Sequence, residues 1–203
     1  MITIIDYGMG NLGSIHNMMK KIGADAVVSR DPNQIANADK LILPGVGSFD
    51  HGMRNLDESG LRAALEDCVI QKRKPVLGIC LGMQLMTRSS EEGELPGLGW
   101  IDAVTKKFRF DDPLLKVPHM GWNMVDIRNE EGLFGDMYSE SRFYFVHSYY
   151  VSCCNPADTL ATTSYGHEFT SAFRRENIMG VQFHPEKSHK FGMKLLQNFV
   201  ELD

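Results

Sequence analysis

Pro75-Val76-Leu77-Gly78-Ile79-Cys80-Leu81-Gly82-Met83-Gln84 is the stretch on which the fold turns. Pro75–Ile79 is a short apolar run of the kind that fills a buried parallel strand, and Met83–Thr87 continues as a helix. Between them, Cys80 sits on a strand-to-helix turn with Gly78 and Gly82 two residues away on either side. A nucleophile on such a turn takes strained backbone angles, and its neighbours must be small where strand and helix approach. A helix start behind the sulfur favours thiolate. Most free cysteines are small buried hydrophobes. That bland reading suits Cys68 on a helix face and the Cys153-Cys154 pair, and the glycine frame removes it for Cys80.

The chain around this turn alternates. Upstream, Ile2–Ile5, Ala26–Val28 and Lys40–Leu43 read as strands. Asn11–Gly23 reads as a helix, with Leu12, Ile15, Met18, Met19 and Ile22 at three- and four-residue steps, Asn11 as N-cap and Gly23 as stop. Asp31-Pro32 opens a short helix, and Leu56–Val69 is helical by period. This alternation predicts an α/β fold whose central, mostly parallel sheet is flanked by helices. Downstream, Trp100–Phe108, Trp122–Ile127, Phe143–Val151, Thr159–Ser164, Phe169–Arg174 and Ile178–Phe183 read as strands with few helices between them, which predicts antiparallel additions. A final helix carries Phe191, Leu195, Leu196, Phe199 and Val200. With no linker, repeat or low-complexity tract, residues 1–203 read as one domain.

Composition narrows the class. The 203 residues are 43% hydrophobic and 23% charged with net charge −5, an ordinary globular balance that favours neither nucleic acid nor an anionic membrane. No run approaches ~20 apolar residues, and Met1–Asp6 reads as a first strand rather than a signal peptide. A cytoplasmic chain with reduced thiols is expected. No C-x-x-C pair occurs among the four cysteines, so neither a metal site nor a disulfide framework is expected.

A thiol nucleophile needs a base, and the base needs an acceptor that fixes its tautomer. His184-Pro185-Glu186 supplies both. Pro185 stiffens the link between imidazole and carboxylate, and the same segment also reads as a helix entry. Pro44-Gly45-Val46-Gly47 ends the third strand. It suits an oxyanion hole, with donors from Leu81 and from Val46 or Gly47, although taken alone it reads first as an ordinary glycine-rich turn. The phosphate-loop pattern is absent.

Together, Gly78–Gln84 and Gln182–Glu186, in the order Cys, His, Glu, resemble the class I, triad-type glutamine amidotransferases. Four further segments resemble the glutaminase subunit of imidazole glycerol phosphate synthase: Ile5–Asn11, Val117–Asn123, Phe145–Tyr149 and His184–Ser188. The likeness runs almost end to end. It implies a flavodoxin-like core and a triad of Cys80, His184 and Glu186 that hydrolyses glutamine to glutamate and ammonia without a cofactor. It also implies that Gly47, Gln84, Glu92, His147, Ser148 and Tyr149 hold glutamine, although from the residues alone Glu92 belongs to a solvated turn and His147 is a structural histidine. It further implies a (β/α)8-barrel synthase partner (HisF type) that receives the ammonia, faced by Asn11, Trp122, Asn123 and Lys187. Trp122 reads equally well as core.

The sequence departs from the histidine-pathway pattern at Gly13, at Leu98–Ala103 and at His189-Lys190-Phe191. There it resembles a paralogous group that supplies ammonia for amidino-sugar synthesis in surface polysaccharide. A stand-alone γ-glutamyl hydrolase would use the same elbow and triad.

Overall fold

A computed structural model describes residues 1–202; Asp203, the last residue of the expected domain, lies outside the described residues. The first half runs β1 (Ile2–Ile5), α1 (Leu12–Lys21), β2 (Ala26–Ser29), α2 (Pro32–Asn37), β3 (Lys40–Leu43), α3 (Phe49–Glu58), α4 (Arg62–Glu66), β4 (Val76–Ile79) and α5 (Leu81–Leu85). The second half runs β5 (Ser89–Ser90), β6 (Ala103–Lys107), β7 (His119–Met124), β8 (Asp126–Ile127), β9 (Arg142–His147), β10 (Tyr149–Cys153), β11 (Thr159–Tyr165), β12 (His167–Arg175), β13 (Ile178–Val181) and α6 (His189–Glu201).

Local chemistry explains the early elements. Ile15 and Met19, one helical turn apart, bury the inner face of α1, and Gly23 stops it at φ 75°. Asn11 stands at the N-cap position, but its side chain makes no capping bond. In α2, Asp31 accepts from the amide of Asn33 and Pro32 opens the first turn.

The strands form a sheet in the order β2-β1-β3-β4-β13-β12-β10-β6-β5, with β11 pairing β12 and β8. The block from β2 to β13 is parallel, and antiparallel pairing begins where β12 meets β13. Side chains alternate across this block: Leu41 and Leu43 enter one apolar cluster, Ile42 the other. Helices α2 to α5 cover the first face through Ile35, Phe49, Leu56, Leu65, Leu81 and Leu85. The second face is covered by α1 and α6 through Ile15, Met19, Leu195, Leu196 and Phe199. Strands β2 and β3 flank β1 on opposite sides. The chain therefore reverses its direction of winding there, and a crevice opens at the carboxyl ends of the strands.

Three sequence expectations change. The expected helix Leu56–Val69 begins at Phe49, breaks at Ser59-Gly60 because Gly60 takes φ 71°, and ends in a π-helical turn at Asp67–Gln71. Phe143–Val151 is two strands: Phe143, Phe145 and His147 are buried alternately in β9, and at Ser148 the chain leaves the β7–β9 ribbon to join the main sheet as β10. Trp100 and Ile101 are buried without being strand; their amides donate to the carbonyl of Met86. Among the described residues, no helix is long and apolar enough to cross a membrane.

Strand β3 and helix α5 meet at Gly82, where an added Cβ would lie 1.8 Å from the carbonyl oxygen of Leu43. Gly13, exposed in the first turn of α1, has nothing within 4 Å of that position. We expect Gly82→Ala to lower unfolding free energy by about 3 kcal/mol or more. Gly13→Ala should raise it by about 0.5–1 kcal/mol. Urea unfolding of the two variants checks both signs.

Candidate active site

Cys80 takes φ 53° and ψ −109° at the end of β4, a conformation rare for a residue with a side chain. Three contacts impose it. The amide of Cys80 donates to the carbonyl of Val181 at 2.8 Å, Gly78 lies under the backbone of Met83, and Gly82 lies against Leu43. A Cβ on Gly78 would come within 2.8 Å of the Met83 backbone, so both glycines are steric requirements of the turn. The following helix, expected over Met83–Thr87, is α5 at Leu81–Leu85. Five residues sum to a weak dipole.

The charged partner beside the sulfur is His184. Beyond β13 the chain enters a 3-10 turn at Pro185–Lys187, with Pro185 as its first residue, so the segment is a turn entry that also brings His184 and Glu186 together. Nδ1 of His184 lies 2.8 Å from Oε1 of Glu186, and the two side chains are 2% and 1% exposed. Burial disfavours the imidazolium, but the Cys80 thiol and the Glu186 carboxylate outweigh it and raise the His184 pKa to about 10. Ser188 holds the turn in place: its hydroxyl donates to the carbonyl of His184 at 2.6 Å and accepts from the amide of Tyr144 at 3.0 Å.

Gly45–Gly47 faces the elbow. The hydroxyl of Tyr7 donates to the carbonyl of Pro44 at 2.6 Å, and a Cβ on Gly45 would lie 2.7 Å from that hydroxyl and 2.9 Å from the amide of Gly82. Gly47 takes φ 109°. Tyr7 was not identified from sequence as a functional residue; its signal there was only a place in the Ile5–Asn11 segment. The residue is buried, and burial with the nearby Cys80 charge pushes its phenol pKa up, so it remains a donor.

Cys80, His184, Val46, Gly47, Leu81, Gln84, Glu92, His147, Ser148 and Tyr149 line one cavity of about 330 Å³. Residues 3–202 match the family model described as glutamine amidotransferase class-I. The chain belongs to the class-I glutamine amidotransferases. It is 59% identical over 201 residues to a Methanococcus maripaludis protein named imidazole glycerol phosphate synthase subunit HisH 2, covering 99% of each chain. It is 54% identical to a Pseudomonas aeruginosa protein of the same name, covering 100% of each. A solved glutamine amidotransferase superposes with TM-score 0.76 at 17% identity, over 98% of this chain and 97% of that one, and carries the likeness of fold.

The remaining residues expected of this amidotransferase divide. Glu92 is half-buried rather than solvated: its Oε2 accepts the amide of Phe49 at 2.9 Å at the start of α3. Its carboxyl is raised, first by burial and also by the Asp50 charge, against that amide bond. Trp122 is 45% exposed, between Met120 at 62% and Met124 at 46%, so the core reading falls. Asn11 and Lys187 are exposed, and Lys187 also reaches the cavity. Asn123 turns inward, its Nδ2 bonding to Nε2 of His119 at 3.1 Å and to the carbonyl of Ser164 at 3.0 Å.

Behind the cavity, His119 Nδ1 and His147 Nε2 are 2.9 Å apart among Phe108, Phe145 and Phe169. Burial lowers His119 to about 4 and His147 to about 3. Both stay neutral in the fold but gain protons when unfolded, so stability is full above the unfolded pKa near 6.5 and is lost as pH falls towards the folded values. His184 has the opposite sign, and its contribution is already complete below pH 6.5. We therefore expect unfolding free energy to fall between pH 7.5 and pH 5 by about 2 kcal/mol for each neutral histidine, offset by about 1 kcal/mol that His184 gains as pH falls from 7.5 to 6.5. Urea titrations at the two pH values should show a lower midpoint with unchanged m.

Proposed function

We propose that this glutamine amidotransferase is a single-domain (1–203), cytoplasmic glutaminase subunit, with Cys80, His184 and Glu186 as its triad. The observation that carries the reading is the buried His184–Glu186 pair in the same cavity as an elbow cysteine. The thiolate of Cys80 attacks the side-chain amide carbon of glutamine, and the oxyanion forms against amides of Leu81 and of Val46 or Gly47. The imidazolium of His184 gives its proton to the amide nitrogen, the C–N bond breaks, and ammonia leaves a thioester. The histidine, now neutral, takes a proton from water as it attacks; the C–S bond breaks and glutamate leaves. Glu186 keeps Nε2 of the ring directed at these atoms.

The cavity is at the small end of ligand sites and suits a free amino acid. Glu92 would take the ammonium of glutamine and the Ser148-Tyr149 backbone its carboxylate, with Gly47, Gln84 and His147 lining the same cavity. This size disfavours a stand-alone hydrolase of bulky γ-glutamyl conjugates.

The relatives' names place them as subunits of imidazole glycerol phosphate synthase, and we assign this chain to the same complex in histidine biosynthesis, with a HisF-type (β/α)8-barrel partner. The exposed stripe Met120-Trp122-Met124 on β7 supports a docking face, since a strand with its apolar side in water is incomplete alone. Asn11 and Lys187 would flank it. One observation favours the amidino-sugar branch: His189, a point of departure from the histidine-pathway pattern, packs edge-on against Trp122 at 5.4 Å, so the docking face itself is altered.

Cys80→Ala should reduce glutamate release by at least about 10³-fold while the fold and partner affinity persist; substantial residual turnover overturns the mechanism. Trp122→Ala should weaken partner binding about tenfold or more, read by calorimetry with each candidate synthase. Binding that is indifferent to the change would remove β7 from the interface.

A further inference from the structure

Gln182 is wholly buried one residue beyond β13, and neither the triad nor the oxyanion donors use it. Its position follows from register. Gly180 pairs with Gly78 and Val181 with Ile79, so the next step along the two parallel strands sets Gln182 beside Cys80. Its side-chain nitrogen lies 3.7 Å from the Cys80 sulfur, as donor, a normal length for a bond to so large an acceptor.

Which end of the amide meets the sulfur is determined elsewhere. Nε2 of Gln84 donates to Oε1 of Gln182 at 3.0 Å, which leaves Nε2 of Gln182 for Cys80. The same Gln84 nitrogen donates to the carbonyl of Tyr149 at 3.0 Å, and Nδ1 of His147 approaches that carbonyl at 2.7 Å. A carbonyl only accepts, so His147 is protonated on Nδ1 and accepts at Nε2. It accepts from Nδ1 of His119 at 2.9 Å, whose Nε2 takes the amide of Asn123 at 3.1 Å. The two arms converge on the Tyr149 carbonyl, which accepts from both His147 and Gln84; the Gln84 arm alone orients the Gln182 amide, whose nitrogen points at the Cys80 sulfur. Both hydrogens of the Gln84 amide are engaged in these two bonds.

We propose that Gln182 is a further catalytic residue whose amide donates to the Cys80 sulfur and stabilises its thiolate, with Gln84 as the positioning residue that presents the amide. The inference rests on Cys80 being the nucleophile. A buried amide bonded to a charged acceptor is stronger than a neutral pair. The other titratable groups that interact with the sulfur are His184 and Tyr7, and the substitutions below leave both in place.

The test is the pH dependence of Cys80 alkylation by iodoacetamide in the full chain, followed at the Cys80 peptide by mass spectrometry so that Cys153 and Cys154 do not interfere. Gln182→Met removes the donor at constant length and should move the midpoint up by roughly half to one pH unit. Gln182→Glu puts a carboxylate in the same place and should move it further. A buried spacer would lower stability without moving either midpoint, and superimposable profiles overturn the proposal. If neither variant folds, the native protein decides: the Gln182 side-chain amide protons, followed by NMR, should shift with the alkylation midpoint, and that shift should vanish in Cys80→Ala. Flat resonances overturn the proposal as well. Alkylation requires no glutamine turnover, so a midpoint that responds to Gln182 in a chain that fails to hydrolyse glutamine would reject the proposed function and leave this inference standing.

Discussion

The parallel register between β4 and β13 is the constraint on which the site depends. Gly78 against Gly180 and Ile79 against Val181 bring two distant segments to the same level of the sheet. The bond from the Cys80 amide to Val181 then joins the elbow to the strand that delivers Gln182 and His184. Interdigitation does the rest, since a Cβ on Gly180 would strike both Met83 and Phe173. Without that register the cysteine would be one more buried thiol, and the histidine pair an isolated turn entry.

Three buried histidines in this structure show how environment decides charge. His119 and His147 sit among aromatic rings with only neutral partners, and burial drives them down to about 4 and 3. His184 is buried too, yet a carboxylate on one side and a thiol on the other carry it to about 10. The neutral pair gives a rigid, directional scaffold; the charged one gives a proton to donate. One residue type is thus held neutral and held charged within a few residues' reach of one cavity.

Much of this was legible in sequence, and the limits have physical causes. The elbow could be read because sterics at a tight turn leave glycine as the only solution, as Gly78 and Gly82 show. The parallel half could be read from short apolar runs, whereas Leu56–Val69 misled because helical period persists across the break that Gly60 makes. Phe143–Val151 misled because alternation does not say which sheet a strand joins. Trp122 was ambiguous until exposure was known, since an aromatic on a strand suits core and interface alike. Tyr7 and Gln182 carry no local signature: each bonds to a partner distant in sequence, Pro44 and Cys80 respectively. Glu92 looked like surface because its capping partner, Phe49, lies across the crevice.

The contact between Gly82 and the Leu43 carbonyl bears on how such a protein diverges. The elbow cysteine is aimed by missing atoms: wherever a side chain could be added at 78 or 82, backbone already stands. Substitution can therefore remodel the rim, at exposed Val46, at Ser148 or at Lys187, but it has no means of tuning the centre by degrees. Drift is channelled outward, towards acceptance of a different docking partner, while the reaction stays in place. A solved amidotransferase that keeps the fold at 17% identity is in keeping with an architecture written in spacings rather than in side chains.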